Sequence, residues 1–195
     1  ILVSGLRGER LSHSGKYYQC TDMPLELHPQ QTPNPPFWHG VTSPRSLEFA
    51  ATRGMQMVGG GSNPGLKEVT TNYRALWTQH RDSPANLNPH IERPKIGALR
   101  HIFVAETDQE AEAVARPAYR KFYANIMKLW IDFGTTHVFF TPDLDIARKG
   151  DVAIVGSPSS VQDQIARLLE EGGCNYPVLA FAWGDLSPTQ AQKSL

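Results

Sequence analysis

Ser43, Pro44 and Ser46 form the pattern in this chain with the clearest chemical potential, because together they build a helix N-terminus able to hold an anion. Ser43 suits the N-cap, Pro44 suits the first helical position because it has no N–H to leave unpaired, and Gly54 supplies a stop after one apolar face. Ser46 lies one turn on, where its hydroxyl joins the free backbone N–H groups. Aligned peptide dipoles make that end electropositive, so a phosphate there gains several charge-assisted hydrogen bonds without a lysine. The same residues also describe an ordinary capped helix.

Other reactive side chains are scattered. His39 falls at the C-terminal end of an expected strand, the position from which barrel active sites are built, and competes with a reading as a hydrogen-bonded core histidine. His13 is expected in a solvated polar loop, His101 inside a strand in a structural role, and His137 in a stretch of poor periodicity with Thr135, Thr136, Phe139 and Phe140. Cys20 and Cys174 are far apart, without a CxxC or Cys/His cluster, so neither a disulfide nor a metal site is expected and a reduced cytoplasmic setting fits.

Alternating short apolar runs and longer helical patterns must position these groups. Four strands are expected, over 37–41, 55–58, 95–105 and 177–183. Helices are expected from Pro44 to Arg53, from the Gly59-Gly60-Gly61 turn to about Arg81, from a capping box at Thr107-Asp108-Gln109-Glu110, from Ser157-Pro158 to Gly172-Gly173, and from Ser187-Pro188 onward. Tyr119, Phe122, Tyr123, Ile126, Met127 and Trp130 recur at helical spacing and read as a core stripe. Strand–helix alternation of this kind makes an α/β protein with a parallel sheet, covered on both faces or closed into a barrel. No GxGxxG or GxxxxGK[ST] segment is present, which argues against dinucleotide-fold and P-loop readings.

The formal net charge is zero, with 19 Lys and Arg against 19 Asp and Glu, and the basic residues do not cluster, so neither a nucleic-acid nor an acidic-membrane surface is expected. No apolar run approaches membrane-spanning length and no secretory h-region opens the sequence. The chain starts at Ile1 and stops at Leu195 just after a helix start, so it is expected to be part of a longer protein.

Several segments taken in order carry a resemblance. Ser12-His13-Ser14-Gly15-Lys16-Tyr17-Tyr18, the proline-rich run from Pro29 to Pro36, and Ser43-Pro44-Arg45-Ser46 come first. Val104 through Ala111, Val155 through Val161, and Trp183-Gly184-Asp185-Leu186-Ser187 follow. Together they resemble the luciferase-like flavin monooxygenase family across nearly the whole chain. The resemblance implies a (β/α)8 barrel of TIM type, present here as a partial barrel of about strands five to eight, with the N-terminal half absent from residues 1–195. It implies reduced FMN as cofactor, with the deazaflavin F420 as the alternative in one branch, and O2 and a small organic substrate as reactants. A non-catalytic flavin-binding barrel is the competing class. A flavin reductase as electron supplier and a homodimeric or heterodimeric state are implied as partners.

By the same resemblance the phosphate site falls on Gly40, Val41, Thr42, Ser43 and Ser46, with Thr42 standing where bacterial luciferase has a glutamate. The histidine that assists chemistry in several members belongs to the missing half, so no catalytic residue is assigned. The stretch from about Asp132 to Asp151 is expected to be a lid or insertion over the flavin, or else a surface connector. An isolated half-barrel would expose two sheet edges and an apolar inner face, so self-association is expected.

Overall fold

Successive residues of a strand point to opposite sides, and the five strands from residue 38 onward present two faces of one parallel sheet. The computed structural model describes residues 1–135 and 141–195. In chain order its elements are α1 (Leu2–Arg7), β1 (Arg10–Ser14), β2 (Gln19–Pro24), β3 (Trp38–Val41), α2 (Pro44–Thr52), β4 (Gln56–Gly59) and α3 (Asn63–Gln79). There follow β5 (Ile96–Val104), α4 (Asp108–Asp132), α5 (Leu144–Lys149), β6 (Ala153–Gly156), α6 (Pro158–Gly172), β7 (Tyr176–Ala180) and α7 (Pro188–Lys193).

β3 pairs with β4, and β4 with β5, all parallel. Gly97 and Ala98 of β5 have partners in both β4 and β7, and His101 has partners in both β6 and β7. A strand has two edges, so β7 takes one edge of β5 while β4 and β6 share the other, β4 along its first half and β6 along its second. The four expected strands are therefore present, and β6 is a fifth that the sequence pattern did not reveal. A further correction concerns residues 10–24, which form the antiparallel hairpin β1–β2 rather than a loop and place His13 half-buried in a strand.

One face of the sheet carries the main core. Val41, Met57, Ile96, Ala98, Ile102 and Ile154 pack there against Leu47, Ala50 and Ala51 of α2, Leu66, Tyr73 and Trp77 of α3, and Val161 and Leu168 of α6. Burying this many large apolar side chains, each contributing about 1.5–3 kcal/mol, holds the helices on the sheet. Between α2 and β4, Gly54 at φ +62° makes the turn, and a Cβ there would stand 2.0 Å from the Asn86 Oδ1.

The other face is concave. Register places Trp38, Gly40, Val58, Gly97, Leu99, His101, Tyr176, Val178 and Ala180 on it. The Trp38 and Tyr176 rings meet with centroids 5.2 Å apart although β4 and β5 run between their strands. Three strand spacings on a flat sheet span roughly 14 Å, so the sheet curves toward this face. Only its C-terminal end is covered: Phe103, Ala153 and Val155 pack under Ala111, Ala115, Ala118 and Tyr119 of α4 and Leu144 and Ala147 of α5. Leu99 is 44% exposed at its centre and Tyr176 40%.

The aromatic stripe of α4 splits accordingly. Tyr119 and Met127 are buried and Phe122 packs on the second core, whereas Ile126 is exposed, as are Leu129, Ile131 and Phe133 beyond it. The expected lid stretch is not a plain loop, because α5 occupies part of it and anchors it through Leu144 and Ala147. Residues 136–140 of that stretch, His137 among them, lie outside the described residues.

Candidate functional site

The C-terminal end of β3 delivers the chain directly into α2. Val41, the last strand residue, turns its side chain into the main core and fixes the strand end, while Gly40 before it lies exposed on the concave face. A Cβ at Gly40 would meet nothing within 4 Å, and the same holds for Gly60 and Gly61 at the end of β4, so this rim is open.

At the helix start, Ser43 is the N-cap and forms a full capping box with Ser46. The Ser43 hydroxyl accepts from the Ser46 backbone N–H at 3.2 Å. The backbone N–H groups of Thr42 and Ser43 converge on the Ser46 hydroxyl oxygen at 3.0 and 2.9 Å, and that hydroxyl donates to the Ser43 carbonyl at 2.8 Å. Thr42, Ser43 and Pro44 are exposed. Two N–H donors aimed at one oxygen define an acceptor position, and here a neutral hydroxyl fills it. An anionic oxygen makes charge-assisted bonds about twice as strong as neutral ones, so the position fits a phosphate that displaces Ser46 as acceptor.

A second helix start is built alike. Ser157 caps α6 and is followed by Pro158, with Ser160 at the position equivalent to Ser46. Here the Asp108 carboxylate sits at the helix end: Oδ1 accepts from the Ser157 N–H at 2.6 Å and Oδ2 from the Ser160 hydroxyl at 2.9 Å. The Ser157 N–H, then the Ser160 hydroxyl, holds the Asp108 carboxyl below the usual carboxylate range.

Where β5 passes under α4, His101 is ringed by Phe122, Tyr119 and Trp183, with centroids 4.2, 6.4 and 6.0 Å away. Burial pushes its imidazole pKa down, so the ring stays neutral near physiological pH. The Trp183 indole N–H donates to the Ile102 carbonyl at 3.1 Å and fixes that wall. His101 thus faces the concave side at the C-terminal end of its strand, a placement its position within a strand run did not disclose.

Of the sequence-derived site residues, Thr42, Ser43 and Ser46 come together in one hydrogen-bonded cluster, Gly40 borders it, and Val41 contributes backbone alone. His39 does not join them. Its side chain lies on the helix side, against Phe49 of α2 with centroids 5.1 Å apart, because strand alternation turns it away from the concave face. Cys20 and Cys174 are free, and among the described residues no group of three or more His, Cys, Asp or Glu side chains is placed to hold a metal.

Known proteins share this arrangement of elements. Residues 1–176 match the luciferase-like monooxygenase model. The chain belongs to the luciferase-like monooxygenase family. An uncharacterized protein of Sinorhizobium fredii, y4wF, is 30% identical over 191 residues, covering 95% of this chain and 53% of that protein. The oxygenase component of the flavin-dependent trigonelline monooxygenase of Acinetobacter baylyi is 30% identical over 169 residues, covering 78% of this chain and 44% of that protein. The chain therefore spans about half the length of the curated relatives it matches.

Among solved structures, monooxygenase RslO1 of Streptomyces bottropensis superposes with a TM-score of 0.74 at 18% identity, over 99% of this chain and 55% of that one. The FMN-bound oxygenating constituent of 3,6-diketocamphane monooxygenase from Pseudomonas putida gives 0.65 at 21%, over 99% and 56%. These likenesses carry the fold: this luciferase-like chain is a partial barrel of the TIM type.

Proposed function

We propose that this chain is the C-terminal half of a flavin-dependent monooxygenase barrel, contributing strands five to eight, and that the N-terminus of α2 holds the phosphate of reduced FMN. The observation carrying this reading is the convergence of the Thr42 and Ser43 N–H groups on one exposed acceptor position, 3.0 and 2.9 Å away, at the C-terminal end of β3. Ser43 and Ser46 supply hydroxyls there, Val41 backbone, and Gly40 leaves room for the flavin tail along the rim. When bound, the reduced flavin supplies the electrons with which O2 oxidises a small organic substrate. The chain's own part is binding and exclusion of water: Trp38, Val58, Leu99, Val178 and Ala180 form an apolar wall on the concave face.

The concave face and the sheet edges also favour a missing partner half. Among the described residues β3 pairs only with β4 and β7 only with β5, so both outer edges are open. The first four strands of the barrel, or a second subunit, would cover them, and expression of residues 1–195 alone should give a dimer or aggregate. A compact, cooperative monomer in analytical ultracentrifugation contradicts this. A flavin reductase is the proposed electron supplier, in keeping with the oxygenase-component name of the trigonelline relative. No helix among the described residues is long and apolar enough to cross a membrane; a cytoplasmic location is part of the proposal.

The test is titration of the full-length protein with reduced FMN, beside a Ser43→Ala/Ser46→Ala variant. Affinity should fall by roughly one to two orders of magnitude: two charge-assisted bonds at about 1.5–3 kcal/mol each set an upper bound of roughly two to four orders, and relaxation of the helix end recovers part of it. Equal affinity moves the phosphate elsewhere. Binding of F420 in place of FMN shifts the cofactor assignment while keeping the phosphate end, and absence of substrate-dependent oxygen consumption favours a binding protein over an enzyme.

A further inference from the structure

Among the described residues, register puts no charged side chain on the concave face. Its polar side chains at the N-terminal end are Trp38, Gln56 and Tyr176, each the first residue of its strand. Toward the C-terminal end, where barrel sites are built, His101 is the polar side chain that the described strands offer.

Helix α4 and the turn after β7 set rings around it, Phe122 at 4.2 Å and Trp183 at 6.0 Å between centroids. Yet the imidazole is half-buried rather than sealed, and neither nitrogen has a hydrogen-bond partner among the described residues. Burial holds the ring neutral, so one nitrogen donates and the other accepts. An unpaired imidazole among aromatic rings costs stability that a phenylalanine there would not. Proteins keep such local violations where they serve a site.

On the reading of the concave face as the site of oxidation, we propose that His101 is the hydrogen-bonding contact of this half-barrel for the organic substrate, and that the end held there is flat, uncharged and bears a hydroxyl or carbonyl. A hydroxyl meets the accepting nitrogen and a carbonyl the donating one. The Phe122 ring and Leu99, 44% exposed two residues away on the same face, receive the flat body. A charged group would lose its hydration against a wall without a counter-charge, so the wall selects against it. The phosphate end proposed at β3 lies two strands from β5, roughly 10 Å along the sheet, so His101 serves a different part of the site.

Phenol is the probe, beside toluene, which has a similar outline without the hydroxyl. Full-length protein loaded with FMN is titrated with each by calorimetry. His101→Phe should lower the ratio of phenol to toluene affinity roughly five-fold, the worth of one neutral hydrogen bond, and leave FMN affinity unchanged. A merely structural imidazole would move both affinities together. Should that variant not fold, crystals of the unaltered protein soaked in 4-bromophenol decide: a bromine anomalous peak on the concave face is expected, with the phenol oxygen about 3 Å from an imidazole nitrogen. An unchanged ratio, a loss of FMN affinity in the variant, or bromophenol bound away from His101 overturns the proposal. Should FMN bind neither protein, the flavin reading fails, and the phenol ratio, measured without FMN, still decides the role of His101.

Discussion

Two helices in this molecule open with Ser-Pro-x-Ser, and their surroundings set them apart. At α6 the pattern is completed by the Asp108 carboxylate, 2.6 Å from the Ser157 N–H. At α2 the corresponding donors close on the neutral Ser46 hydroxyl and the end faces solvent. A helix start with an internal anion is satisfied by the fold; one without it still has affinity to offer a ligand. The motif cannot tell the two apart, because the deciding carboxylate comes from 49 residues earlier in the chain.

The largest expected difference between the two ends is steric. A Cβ at Gly156 would stand 2.7 Å from the Asp108 Oδ1 and 2.9 Å from the Ser160 Cβ, whereas at Gly40 it would meet nothing. Gly156→Val should therefore cost about 2–3 kcal/mol in urea denaturation, and Gly40→Val should stay within about 0.5 kcal/mol. Similar costs for both would remove the contrast between a filled and an open end.

Next in size are the caps themselves. Ser157→Ala and Ser43→Ala should each lose about 1 kcal/mol of stability. Only the first should keep a rise in Tm on adding inorganic phosphate. A phosphate response that survives Ser43→Ala would place the anion elsewhere.

Acid titration sharpens the comparison further. The folded Asp108 pKa is depressed, so its stabilisation is present above the unfolded value, about 3.9, and is lost as pH falls through the folded value. Asp108→Asn should flatten that acid limb, and Ser43→Ala should leave it unchanged. An acid limb unaltered by Asp108→Asn would show that the carboxylate does not serve α6.

The smallest effect belongs to His101, on the concave face. Its folded pKa is also depressed, by burial, so stability should be complete above about pH 6.5 and decline as pH falls toward the folded value. His101→Phe should remove that decline, read as the slope of Tm against pH.

Much of this architecture is legible in the sequence because turn and capping signals punctuate it. Strand runs bounded by Pro, Gly and Ser reveal β3, β4, β5 and β7, and Ser43, Thr107, Ser157 and Ser187 each cap a helix as their neighbours foretell. β6 escapes because Ala153–Gly156 is four buried residues with no alternation and runs straight into the Ser157 cap. The faces on which His39 and His101 lie are not legible, for a single reason. Strand ends can be located to within a residue or two, but a one-residue difference decides which face a side chain meets. His39 consequently turns to Phe49, and His101 to the concave side.

The double occupancy of one β5 edge has an architectural consequence. The chain leaves the sheet after Val104 and re-enters it at Ala153, the register partner of His101 three residues back along β5, so its exit and entry lie roughly 10 Å apart along the strand direction. Residues 105–152 are thus an exchangeable module: its exit and entry are held by the β5–β6 ladder, at little further entropic cost for added length. A homologue could lengthen, shorten or exchange this module and reshape the roof over the concave face, leaving the pairing of β3, β4, β5 and β7 undisturbed.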